Sequence, residues 1–188
     1  PLCCPWRHSA QISLNVQPGA VLKGRLALEP TCKTPEFKVG HFELFIDGIL
    51  RSIIEPGKEW GLNTAQLTDG YHELRAVAIA SDPIESQAQL IVPITVDNNR
   101  QHVEVIPPKT TDGASVIQAS MKGAKRLLLL HNGREIATST GETAEFHVPL
   151  NKTGAGPLQV YVIAVIDSEG IVQRIASAPI TLNVAAPK

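Results

Sequence analysis

Hydrophobic and polar positions alternate with a period of two along much of this chain. His72, Leu74, Ala76, Ala78 and Ala80 share one parity, and Tyr71, Glu73 and Arg75 share the other. Successive side chains of a strand point to opposite faces, so this run predicts a strand in a sheet packed on one side. Val77 and Ile79 break the polar parity, which predicts cover on both faces at the far end. The small Ala76, Ala78 and Ala80 suit a close-packed central strand. Val39–Ile46 alternates likewise, with Phe42, Leu44 and Ile46 on one face. Asp47-Gly48 is a strong hairpin signal, and Ile49–Ile54 forms the return strand. Further strands are predicted over residues 10–16, 21–28, 60–62 and 87–96, with Pro93 marking an edge or a bulge. A turn follows at Asp69-Gly70, with Leu67 plugging the base of the preceding loop. No stretch has convincing helical spacing.

The pattern returns. Leu158, Val160, Val162, Ala164 and Ile166 keep the parity of residues 72–80, each 86 positions on (Leu158 against His72). Pro93-Ile94-Thr95-Val96 returns as Pro179-Ile180-Thr181-Leu182 at the same offset, and Leu44 to Gly48 returns as Leu129 to Gly133 at 85. A constant offset with one slip predicts two diverged copies of one domain. The expected organisation is a leading segment over residues 1–9, a first domain over 10–97, a linker over 98–101 and a second domain over 102–188. In the second copy, strands are predicted over residues 102–106, 114–121, 126–131, 134–139, 143–150, 156–167 and 171–184. Pro107-Pro108 opens a polar loop between the first two. Leu127-Leu128-Leu129-Leu130 is apolar on both faces, which reads as burial on both sides or as a docking surface. His72 aligns with Leu158, so its position asks for a side chain that packs, and a core histidine is favoured over a ligand.

Composition narrows the core. Hydrophobic residues make up 43% but aromatics only 4%, so the cores rest on Val, Ile, Leu and Ala. Two domains of about 90 residues each match the size of small β-sandwiches. The net charge is −1 with charges scattered singly, and no basic stripe marks a nucleic-acid partner. No apolar run approaches the length of a membrane span. The chain begins at Pro1, which reads as a piece of something longer.

Candidate chemistry is sparse. Cys3, Cys4 and Cys32 are an odd set, and one disulfide from Cys3 or Cys4 to Cys32 is open to them. A metal set of Cys3, Cys4 and His8 lacks the usual gap between thiolates. The six histidines (His8, His41, His72, His102, His131, His147) spread over both halves without a metal or hydrolase motif. A triad could still assemble from distant residues. Calcium is the most defensible cofactor reading: Asp97, Asn98 and Asn99, with Asp167 or Asp82, would supply oxygen ligands. The competing reading is that Asn and Asp form turns, and no cofactor is the expectation. Glycan binding needs exposed rings, and Trp6, Trp60, Tyr71 and Tyr161 are the aromatics available beyond phenylalanine. Trp60 is placed in the core, and Tyr71 could tie its hydroxyl to backbone at a sandwich corner.

Phe42 to Gly48, Trp60, Asn63-Thr64 with Leu67, Asp69-Gly70, His72 to Ala78 and Val96-Asp97-Asn98 together form a recognisable series. It resembles the bacterial immunoglobulin-like modules found in tandem in exported and cell-surface proteins. The resemblance covers residues 10–98 well and 102–185 in outline, since the second copy lacks the Trp and the Asp-Gly-x-His. It implies an all-β fold of two tandem immunoglobulin-like β-sandwiches. It also implies a secreted or cell-surface location and a non-catalytic role as spacer, adhesion or docking region of a larger exported protein. The expected partners are other domains of that parent and a protein or glycan ligand. The alternative is a carbohydrate-binding accessory module attached to an enzyme. Such sandwiches host many functions, so the resemblance speaks to fold more than to activity.

Overall fold

The computed structural model describes residues 10–111, 114–150, 156–168 and 170–184. Regular structure among them is β, apart from a 3-10 turn at Thr64–Gln66 and a 3-10 position at Leu150. The strands in chain order are β1 (Ile12–Leu14), β2 (Ala20–Leu22), β3 (Arg25–Leu28), β4 (Pro30–Cys32), β5 (Val39–Ile46), β6 (Ile49–Ile54), β7 (Trp60–Asn63), β8 (Gly70–Ala80) and β9 (Gln87–Val96). They continue as β10 (Glu104–Thr111), β11 (Ala114–Ser120), β12 (Arg126–His131), β13 (Arg134–Thr140), β14 (Thr143–Pro149), β15 (Gly156–Ser168), β16 (Ile171–Ala176) and β17 (Ile180–Val184). By packing, the chain divides into two units. One takes the described residues up to Thr64 together with His72–Thr95; the other takes Ala65–Tyr71 and the described residues from Val96 onward.

In the first unit, β2-β9-β8-β5-β6 form a five-stranded sheet, while β1 pairs with β4 and β3 with β7. β8 is central, as its alanines require. Leu74, Ala76 and Ala78 are buried opposite Ile46, Leu44 and Phe42 of β5. Val77 and Ile79 on the other face are buried too, the double cover that their break in alternation predicts. Pro93 is not on an edge strand, since β9 lies between β2 and β8; its carbonyl accepts from Gly19 N–H at 2.7 Å where β2 begins.

Residues 21–28 are two strands and not one, because this stretch serves both sheets. Gly24 turns the chain with φ +82, a conformation open to glycine. Thr64 ties the turn on both sides: its N–H donates to Gly24 O at 2.9 Å, and its Oγ1 accepts from Gly24 N–H at 2.7 Å. Strand β4 lies outside the predicted strand ranges. Asn15 bridges the gap between β3 and β4, donating from Nδ2 to Ala27 O and accepting at Oδ1 from Glu29 N–H, both at 2.9 Å.

In the second unit, β10-β11-β14 form a three-stranded sheet and β13-β12-β15-β16 a second, with β17 also paired to β15. One core takes Ile117, Phe146 and Val148 from the first sheet and Leu127, Leu129, Val160, Val162 and Ile175 from the second. Two sheets closed over one core in this order are an immunoglobulin-like β-sandwich. Leu128, on the opposite face of β12, is also buried. β10 runs on through Pro107-Pro108, where a loop is predicted. The register shifts between Ile106 and Lys109, and an edge strand tolerates residues that cannot donate. Residues 171–184 likewise form two strands on one partner, broken around Ser177. There Val162 N–H donates to Ser177 Oγ at 3.0 Å and Ser177 N–H donates to Val162 O at 2.8 Å, so a hydroxyl stands in for a ladder carbonyl.

The sequence offset recurs in the ladders. Hairpin β5–β6 is bulged between Leu44 and Phe45, with Phe45 opposite Leu50; hairpin β12–β13 is bulged between Leu129 and Leu130, with Leu130 opposite Glu135. Asp47-Gly48 turns at φ 51 and 77, and Asn132-Gly133 at 49 and 74. Both dihedral pairs suit the primed turn whose twist matches the flanking strands. Among the described residues, no helix is long and apolar enough to cross a membrane.

Candidate functional site

The two Asp-Gly turns organise the buried polar groups of the first half of the chain. At the first, Asp47 N–H donates to Glu73 O, and Asp47 Oδ1 accepts from Glu73 N–H, both at 2.9 Å. Asp47 Oδ2 lies 2.6 Å from Nδ1 of His72, whose residue is only 6% exposed. Burial pushes the Asp47 carboxyl up. The His72 hydrogen bond, the Glu73 N–H and the charges of His72 and Arg51 outweigh it and hold Asp47 below the ordinary aspartate range. An ionised carboxylate only accepts, so Nδ1 of His72 carries the proton in this pair. His72 is a core histidine as its parity implies, with a polar anchor that parity does not reveal. The equivalent positions in the second unit are Asn132 and Leu158, so both members of the pair are replaced together.

At the second turn, Asp69 is 2% exposed. Its Oδ1 accepts from Asn98 N–H at 2.8 Å, and its Oδ2 accepts from Asn99 and Gln101 N–H at 2.7 and 3.0 Å. Asn98 Nδ2 donates to Leu67 O at 3.4 Å. Three donors occupy most of the roughly four acceptor sites of a carboxylate. Gly70 follows with φ +105, and a Cβ there would lie 2.7 Å from Ala176 O, so this turn has room for glycine alone. Sequence reasoning treats Asp69 only as a turn residue. The signal that could have revealed it is the company of Asp69-Gly70 and Asp97-Asn98 in one motif, which these hydrogen bonds join.

The calcium candidates lie beside this clasp. Asp97 is half-buried, while Asn98 and Asn99 turn backbone N–H groups, not oxygens, toward the Asp69 carboxylate. Asp82 accepts from Ser86 N–H, and Asp167 pairs with Lys125 at 3.6 Å. Among the described residues, no group of three or more His, Cys, Asp or Glu side chains is placed to hold a metal.

The four other described histidines each have a neighbour of their own. His41 is 3.9 Å from Glu43, His102 is 3.5 Å from Glu104, and His147 is 3.0 Å from Glu145. Glu145 is held below the ordinary carboxylate range by the Gln118 hydrogen bond and then, against slight desolvation, by His147. His131 Nδ1 lies 2.8 Å from Gln159 O. Cys32 is half-buried with its thiol 3.9 Å from Thr34 O. Cys3, Cys4, Trp6 and His8 lie outside the described residues, and so therefore does the disulfide reading. Trp60 is half-buried opposite Leu28, and Tyr71 and Tyr161 are half-buried. A groove of about 440 Å³ in the second unit is lined by Glu104, Ile106, Gln118, Thr143 and Glu145 among others, with no aromatic ring in its lining.

No protein-family model matches the chain, and no curated protein matches it. Among solved structures, it is similar to the fibronectin(III)-like modules of Clostridium thermocellum CbhA, at 16% identity and TM-score 0.41 over 94% of this chain and 95% of that one. It is also similar to latent PorU from Porphyromonas gingivalis, at 15% identity and TM-score 0.36, where it covers 100% of this chain but 21% of the longer one. The central fibronectin-III array of RIM-binding protein aligns at 10% identity and TM-score 0.33, over 97% of this chain and 71% of that one. At this distance the likenesses carry no weight of their own. Strand pairing assigns the fold.

Proposed function

We propose that this chain is a non-catalytic structural or interaction region, acting as a spacer, adhesion or docking element of a larger exported bacterial protein. The observation that carries the reading is how its buried ionisable groups are used. Asp69 is committed to three backbone N–H groups and His72 to Asp47. General acid–base chemistry needs such groups within reach of a substrate proton; here they fasten turns. The parent protein supplies neighbouring domains as partners, and the location is the cell exterior or surface.

The test is a mass and peptide map of the native protein in its source cells, with fractionation. The expected result is peptides continuous with a longer chain in the exported or surface fraction. A 20.2 kDa species confined to the cytosol would overturn the exported reading, and substrate turnover by the purified chain would overturn the non-catalytic one. A melt in calcium against chelator checks the metal: the expected Tm is the same in both, and a rise with calcium would place a ligand set at Asp97, Asn98 and Asn99 after all.

A further inference from the structure

The outer face of the first unit's five-stranded sheet carries a row that the hairpin fold does not need. The registers set Arg75 of β8, Phe45 of β5 and Leu50 of β6 side by side, with Ile53 in the next row. The Arg75 guanidinium stacks 4.3 Å from the Phe45 ring centre, a cation–π contact. Among the described residues no carboxylate pairs with Arg75, and its Nε is buried without an acceptor, while Glu43 in the next row reaches His41. β6 is the outer strand of that sheet, so its far edge offers a line of backbone donors and acceptors. Ile49, Leu50 and Ile53 on it are 57%, 45% and 58% exposed. Its one charged residue is Arg51.

The second unit is an internal control. Its matching hairpin, bulged at the equivalent place, sets Tyr161, Leu130 and Glu135 in the corresponding row. Its outer strand reads Arg-Glu-Ile-Ala-Thr-Ser-Thr. Charged and hydroxylated edges are the usual protection against strand addition. The same hairpin therefore folds with a polar edge, and the apolar edge of β6 is not a requirement of folding.

We propose that β6 and the row beside it receive an extended acidic segment of another protein. The segment's backbone adds to the open edge, its aliphatic side chains cover Leu50 and Ile53, and its carboxylate pairs with Arg51 or Arg75. This rests on the interaction reading above and names the chemistry of the partner. Two β6 strands paired edge to edge do not match, because β6 has no carboxylate to answer these arginines.

The test titrates the isotope-labelled chain with a capped Thr-Val-Thr-Glu-Thr-Val peptide, whose valines and glutamate share one face of a strand, and with its counterpart bearing lysine for glutamate, following backbone amides by NMR. Saturable shifts over Ile49–Ile54 are expected with the acidic peptide, at least about tenfold tighter than with the basic one. Ile53→Lys and, separately, Arg75→Gln should each weaken binding several-fold while leaving amide dispersion intact; Ile53 is exposed, so its variant tests the surface even if the Arg75 variant perturbs the fold. Equal affinity for both peptides, shifts elsewhere, or no saturable binding would overturn the proposal. So would self-association lost in Ile53→Lys, which would make the occupant a second copy. Those failures leave the non-catalytic reading standing, since only turnover overturns it.

Discussion

The Asp47–His72 contact joins a hairpin turn to the neighbouring strand. Removing one partner leaves the other's polar atom short of its best neighbour. His72→Leu, the residue found at Leu158, should cost about 1 kcal/mol, a modest value because the Asp47 side chain is 47% exposed and solvent screens it. Asp47→Asn should cost a similar amount. The double variant copies the second unit and should be less destabilised than the two single losses combined, by about 0.5 kcal/mol or more. Urea midpoints of the four proteins measure this, and strict additivity would show that the pair does not interact. Ser115 is the opposite case. It is buried in β11 and, among the described residues, its hydroxyl has no hydrogen-bond partner. Because that hydroxyl is desolvated without compensation, Ser115→Ala should leave Tm unchanged or raise it by a few degrees. A fall of several degrees would reveal a partner for it.

Among elements, the Asp69 clasp governs the stretch from Asn98 to Gln101. Three charge-assisted N–H bonds converge on one buried carboxylate, so Asp69→Ala should cost about 2–4 kcal/mol, and Asp69→Asn nearly as much because the amide offers a single acceptor oxygen. The local readout is hydrogen exchange: the amides of Asn98, Asn99 and Gln101 should exchange much faster in either variant, while those of β15 change little. Unchanged protection at the three amides would sink the assignment. Legibility differs sharply between elements. Strands β5, β6, β9 and β12 coincide with their predicted ranges because alternation and hairpin signals are local. The breaks at Gly24 and Ser177 were not legible. They depend on side-chain bonds to residues far along the chain, as when Thr64 ties Gly24 across 40 positions.

For the molecule as a whole, the offset of the sequence repeat is repeated in register, bulge and turn, which is why so much of the fold could be read from periodicity. The site was legible in part. Parity against Leu158 marks His72 as a packed residue, but nothing local distinguishes an Asp69 that fastens a distant segment from one that merely turns the chain. The same comparison between halves yields an acid-dependent prediction. Asp47 has a lowered folded-state pKa, so its contribution to stability is fully present above the unfolded value, about 4, and is lost as pH falls through the lowered folded value. Asn132, its counterpart, has no charge to lose. The difference in urea midpoint between the parent protein and Asp47→Asn, followed by NMR at β8 amides, should therefore be largest near neutrality and shrink as pH drops from about 5 toward about 2. Amides of β15 serve as the internal reference. A difference that stays constant over that range would mean that the Asp47 carboxylate titrates alike in the folded and unfolded chains, and that its bond to His72 contributes nothing through charge.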